Sequence, residues 1–102
     1  MSAEPKPLEE LGAADFQSRV GERFTVVLNE GDFGLELVNV RLLPEHSRRS
    51  SQPFVLLFRG PQQPVLPQRT YTLAHGELGQ LVIFLVPVQG GPAGIEYEAV
   101  FN

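Results

Sequence analysis

The longest uninterrupted apolar run in the chain, Leu81-Val-Ile-Phe-Leu-Val-Pro-Val88, organises the rest of its pattern. Periodicity does not assign such a run, because both faces of a helix or a strand would be apolar. Composition does: Val82, Ile83, Phe84 and Val86 are β-branched or aromatic and suit a pleated surface better than a helical turn. Gly79 and Pro87 punctuate the run at strand length, and Pro87, with no amide to donate, belongs at a strand end, an edge or a bulge. A strand apolar on both faces is expected to be covered on both, by the opposite wall of a sandwich or barrel and by a helix, a loop or another subunit. The run is too short to cross a bilayer as a helix, which needs roughly 20 apolar residues.

The remaining pattern predicts further strands. Phe24–Asn29 is rich in β-branched residues, and Asn29-Glu30-Gly31-Asp32 reads as a turn. The next strand, from about Gly34 to Leu43, changes phase: Leu35 and Leu37 face one way, Val38, Val40 and Leu42 the other. A β-bulge near Leu37 and Val38 reconciles the halves and bends the strand, as a small barrel requires. Phe54–Arg59 is a second nearly continuous apolar strand, closed by Gly60-Pro61. Gln62–Gln68 carries Pro64 and Pro67 and reads as an extended, wall-crossing connection. Thr70–His75 alternates and forms a hairpin with the long apolar run through Gly76–Gly79. Gly90, Gly91 and Pro92 mark a turn into Ile95, Tyr97, Ala99 and Phe101, which alternate with Glu96 and Glu98. Ending with the chain, that strand is expected at an edge its glutamates protect. Upstream, Asp15 is an N-cap candidate for a short helix in which Phe16 and Val20 share a face and plug one end of the core, with Gly21 supplying a left-handed stop. The predicted fold is mainly β: a small antiparallel barrel or sandwich of about six strands with a short N-terminal capping helix.

With 102 residues, the chain reads as one small β domain over 1–102, with a loose tail at 1–10 and a mobile loop at 44–53. A hydrophobic fraction of 42% with 20% charged residues is that of a folded globule. The net charge of −4 makes nucleic acid a poor partner. Cysteine is absent, which removes disulfides, thiolate metal sites and a thiol nucleophile, and favours a reducing compartment. The acidic, proline-containing start has no signal-peptide pattern, so the expected location is the cytoplasm, away from membranes.

Candidate chemistry is sparse. His46 and His75 lie in no ligand pattern, so no metal site is predicted, and His75 at a hairpin mouth is expected to bond the backbone. Gly90-Gly91-Pro92-Ala93-Gly94 lacks the lysine and the following helix of a phosphate loop. Ser47, Ser50 and Ser51 fall in the 44–53 loop with nothing to orient a base. Arg48 and Arg49 form the basic cluster that an acidic partner or a phosphate would meet. Pro64 and Pro67 stand in Pro-x-x-Pro register, though strands on both sides make a rigid internal connection the better reading.

The ordered motifs Phe54-Val-Leu-Leu-Phe-Arg-Gly-Pro61, Leu66-Pro-Gln68, Tyr71-Thr-Leu-Ala-His75, Leu78–Val88 and Tyr97-Glu-Ala-Val-Phe-Asn102 resemble a bacterial family of small proteins classed as a domain of unknown function. Phe16 through Phe24, with Val20-Gly21 between, resembles its N-terminal portion. The resemblance implies a compact β scaffold without a catalytic set, encoded beside tail-collar-like proteins related to phage tails.

The leading reading is a non-enzymatic structural or protein-interaction module, accessory to a phage-tail-like assembly, that engages a protein partner or self-associates. The alternative is a small-ligand-binding β-barrel with Tyr71, His75 and Tyr97 at its mouth and no cofactor. An enzyme is the weakest reading, because acid–base chemistry needs positioned titratable pairs that the pattern does not supply.

Overall fold

The computed structural model describes residues 11–29, 31–44 and 52–101. The tail at 1–10 and residues 45–51 of the 44–53 loop lie outside the described residues, and with them His46, Ser47, Arg48, Arg49, Ser50 and Ser51.

One helix, α1 (Ala13–Gln17), precedes six strands: β1 (Arg23–Leu28), β2 (Gly31–Leu42), β3 (Phe54–Gly60), β4 (Arg69–His75), β5 (Gly79–Gly91) and β6 (Gly94–Phe101). The strands close into an antiparallel barrel in the order β1-β2-β3-β6-β5-β4. Closure resolves the choice between barrel and sandwich. It also overturns the edge position expected for the last strand: β6 pairs with β3 on one side and β5 on the other.

Alternation decides which side chains fill the barrel. Phe24 and Val26, Leu35 and Leu37, Phe54, Leu56 and Phe58, Tyr71 and Leu73, Leu81, Ile83 and Leu85, and Tyr97, Ala99 and Phe101 all point inward and are buried. A barrel this small is filled by its own side chains. The phase change in β2 is a bulge: Leu37 faces Phe58, but Asn39 then faces Leu57 and Val40 faces Leu56. That shift returns Val40 to the core. A second bulge, between Pro87 and Gln89, accommodates the missing proline amide and lets β5 continue to Gly91 instead of stopping at Pro87.

The antiparallel register gathers the starts of β1, β3 and β5 and the ends of β2, β4 and β6 at one end of the barrel. Here α1 forms the plug, and Phe16 is fully buried. Its ring lies 6.4 Å from Phe24, 5.8 Å from Phe54 and 5.7 Å from Phe101, while Phe54 and Phe101 stack at 4.6 Å. The helix begins three residues earlier than expected. Gly12 is the N-cap, and Asp15, at the third helical position, accepts the Gly12 N–H at 2.8 Å. This shift rotates Val20 out of the plug, leaving it 48% exposed, and Leu11 takes its place in the core. The chain then turns through Gly21, which has φ +95. Gly21 N–H donates to the Leu37 carbonyl at 2.7 Å, and Leu37 N–H to the Glu22 carbonyl at 3.0 Å, tying the helix to the bulged strand.

The opposite end is closed by the connection from β3 to β4, which are not neighbours in the barrel. The expectation of a wall-crossing segment holds: residues 61–68 pass over this end and bury Leu66.

If Phe16 is the plug, Phe16→Ala removes a fully buried aromatic ring and should cost about 3–5 kcal/mol of unfolding free energy. Val20→Ala should change it by no more than about 0.5 kcal/mol. Urea denaturation of both variants checks the assignment of the helix face.

Candidate functional site

His75 ends β4 at the plugged end of the barrel, with a side chain only 6% exposed. Its ring packs 4.6 Å from that of Phe24. Nδ1 accepts two backbone N–H bonds, from Glu77 at 3.1 Å and Leu78 at 3.2 Å. Two donors on Nδ1 place the ring hydrogen on Nε2, which faces a Glu22 carboxylate oxygen at 2.7 Å. Every polar position of the imidazole is therefore used to hold the β4–β5 turn and the residue that enters β1. The backbone-bonded histidine expected from the sequence is found. Arg19 reinforces the same corner, donating to the Asp15 carbonyl at 2.7 Å and pairing with Glu77 at 3.3 Å.

Tyr71 and Tyr97 sit at the other end. Tyr97 is fully buried on β6, and its hydroxyl oxygen accepts the Leu66 N–H at 2.9 Å. That bond satisfies a buried backbone donor in the crossover and fixes the height at which Leu66 enters the core. Tyr71 donates its hydroxyl to the Pro67 carbonyl, and the Arg69 guanidinium covers its ring at 5.1 Å. The two tyrosines thus anchor the crossover from inside. The three residues expected to line one ligand mouth do not share one: His75 belongs to the helix end, the tyrosines to the crossover end, and all three side chains are engaged in holding chain segments. Arg48 and Arg49 lie outside the described residues.

Among the described residues, no three histidine, aspartate or glutamate side chains come together in a way that could hold a metal ion. An open groove of about 400 Å³ runs along the outside of β1, β2 and the end of β3, walled by Arg23, Glu36 and Arg59. Its floor is made by glycine. A Cβ on Gly34 would stand 2.4 Å from the Arg23 guanidinium carbon, so glycine here lets Arg23 lie flat across β2. Arg59 is already paired with Glu96 at 3.0 Å. The groove mixes signs and contains neither a nucleophile nor an acid–base pair.

What distinguishes this surface lies on the opposite wall. Outward positions of β1, β4 and β5 stand side by side in rows: Thr25, Ala74 and Gln80; Val27, Thr72 and Val82; Thr70 and Phe84. None of these eight carries a charge, in a chain where 20% of residues do; charge flanks them at Arg23, which precedes Thr25 on β1, and at Asp32, which stands beside Val27 on β2. Val82 is 57% exposed and Phe84 49% exposed, and Val27 is similarly open to solvent. Of the covers expected for the outer face of the long apolar run, a helix, a loop or another subunit, the described residues supply neither the helix nor the loop over Val82 and Phe84. Leu81, Ile83 and Leu85 are in the core, while the alternate residues form an open apolar stripe. Outward positions on β2, β3 and β6 differ in carrying charge, with Arg59–Glu96 and Arg41–Glu98 ion pairs laid across the strands beside the exposed Val100.

These features define a small closed antiparallel β-barrel whose buried polar side chains serve architecture and whose one uncharged wall faces outward. The chain belongs to the family described as domain of unknown function DUF6916, whose model matches residues 11–101. No curated protein and no solved structure matches it.

Burial raises the Tyr97 hydroxyl above the ordinary tyrosine value, partly offset by the bond from Leu66, with Tyr71 adding to the rise. A raised value in the folded state means that folded protein holds this proton more tightly than unfolded protein. The resulting stability is complete below the unfolded value of about 10 and is lost as pH climbs through the folded one. Tyr97→Phe leaves the Leu66 N–H without an acceptor and should cost about 1–3 kcal/mol near neutral pH. The gap between wild type and variant should narrow above pH of about 10, measured by urea unfolding across pH.

Proposed function

We propose that this protein is a non-enzymatic interaction module that works through the uncharged outer wall of β1, β4 and β5. The setting implied by its sequence resemblance, an accessory to a phage-tail-like assembly, is the one in which such a module would act. The observation that carries the reading is the contiguity of Val27, Thr72 and Val82 with Thr70 and Phe84. Single exposed apolar side chains are ordinary on protein surfaces, but contiguous ones without interspersed charge mark contact sites.

Three further features support it. The barrel interior is occupied by core side chains, so a ligand would have to displace them. His75 has both ring nitrogens engaged in structure, so its imidazole is not free to act as a base. Closure of the barrel consumes the strand edges, so partners are met by faces and not by strand addition.

The test is affinity capture from a lysate of the native host, comparing wild type with Val82→Glu/Phe84→Glu and with an opposite-wall control, Asn39→Glu. Specific retention by wild type and control, reduced more than about tenfold in the double variant, is the expected result. Equal retention by all three would sink the reading, with circular dichroism establishing that each variant is folded.

A further inference from the structure

Across the start of β1, β2 and the end of β3 the outward register sets charges of alternating sign side by side. Arg23 faces Glu36, Glu36 faces Arg59, and Arg59 faces Glu96. Opposite charges in such positions attract one another across strands. Arg59 does close on Glu96, at 3.0 Å. Among the described residues, however, Glu36 forms an ion pair with neither arginine beside it, and Arg23 has no hydrogen-bond or ion-pair partner. Both side chains are exposed.

The place of Arg23 is set by Gly34. Its Cζ, Nη2 and Nε lie 2.4, 2.4 and 2.6 Å from the position a Cβ would take, near-equal distances that set the guanidinium plane face-on over the glycine. One face of the group is seated on backbone, while the N–H bonds, which radiate in its plane, keep no partner within the chain. Leaving this pair open costs the fold little, because exposed ion pairs contribute little to stability. Arg23 and Glu36 thus stand as two uncommitted charges of opposite sign on one open groove of about 400 Å³, whose lining continues with the uncharged Gly60, Pro61 and Ala93.

Those charges decide what fits. With Arg59 matched by Glu96, the groove presents one cation and one anion. A plain anion that met Arg23 would also face Glu36, and a plain cation that met Glu36 would face Arg23. An uncharged molecule would strip water from both without replacing it. A molecule carrying a carboxylate and an ammonium group close together satisfies both at once. The carboxylate accepts parallel N–H bonds from the planar fork of Arg23, and the ammonium donates to Glu36. Side chains directly opposite on neighbouring strands start roughly 5 Å apart at Cβ, a span that the charged groups of an α-amino acid, one carbon apart, bridge between two long side chains.

We infer that the groove over β1, β2 and the end of β3 is a binding site for a free α-amino acid, its carboxylate held by Arg23, its ammonium by Glu36 and its side chain directed to Pro61 and Ala93. The site uses none of the residues of the β1-β4-β5 wall and stands or falls independently of it.

The experiment is an NMR titration of the nitrogen-labelled protein at neutral pH with glycine, L-alanine and L-leucine. It is repeated with N-acetyl-leucine, which lacks the ammonium, and with leucinamide, which lacks the carboxylate. L-Leucine should give saturable shifts at the amides of Arg23, Gly34 and Glu36, and each capped form should bind at least about tenfold more weakly for want of one charge-assisted contact. Arg23→Gln and Glu36→Gln should each weaken leucine binding to the same extent, Gly34→Ala should weaken it by unseating the guanidinium, and Arg41→Gln, outside the groove, should leave it unchanged. Absence of saturable shifts with all three amino acids, a capped form binding as tightly as leucine, or binding that survives both glutamine variants would each overturn the proposal. The capped forms put the question to wild type, so the answer does not hang on any variant folding.

Discussion

Closure of six short strands around a core only as wide as its own side chains is the constraint on which everything else in this protein depends. Once the sheet meets itself, every inward position must be apolar and must fit its neighbours, because the interior has room for nothing else. The ends are then the vulnerable points, and each is sealed differently. One end receives a ring from a helix of only five residues, Ala13–Gln17, too short to be stable alone. It holds because Phe16 lies among Phe24, Phe54 and Phe101 and because Gly21 and Glu22 continue the β1–β2 ladder as far as Leu37, where the bulge begins. The other end receives Leu66, held by a tyrosine hydroxyl that reaches the crossover from within the barrel. The polar groups that a reader would first suspect of catalysis are the fasteners of these seals.

Much of this was legible in the sequence because it follows from alternation and from punctuation. The phase change at Leu37 and Val38 required a bulge, and Pro87 required either an end or a bulge, since neither can be accommodated in an uninterrupted ladder. Pro64 and Pro67 marked 62–68 as a crossing segment, and the structure adds that Leu66 between them is buried. What the pattern left unresolved depends on contacts between segments distant in the chain. Val20 has the spacing to share the Phe16 face, but Asp15 at the third helical position accepts the Gly12 N–H, which starts the helix at Ala13 and carries Val20 outward. Similarly, nothing local says whether Ile95–Phe101 lies at an edge. Its place between β3 and β5 is set by the crossover between β3 and β4.

The candidate site was less legible, for a reason visible in particular residues. Tyr71, His75 and Tyr97 are the polar aromatics of the strands, and a sequence does not distinguish a hydroxyl aimed at a ligand from one aimed at the Leu66 amide or the Pro67 carbonyl. The informative signal was instead the one in the apolar run. Leu81–Val88 needs only half its side chains for the core, and the sequence could not say what becomes of the other half. In the barrel they become Val82 and Phe84 on the outside, beside Thr72 and Thr70 on β4 and Val27 on β1.

That excess sharpens the physical argument about function. Replacing Val82 and Phe84 with lysine or glutamate would leave the core untouched, because their side chains point away from it, and would lower the exposed apolar area at little cost in stability. The Glu96 and Glu98 positions of β6 show that this fold accommodates charge at outward positions readily. The wall of β1, β4 and β5 is thus apolar without the barrel core requiring it, and the same strands that fill the barrel carry a second apolar face that the described residues leave uncovered.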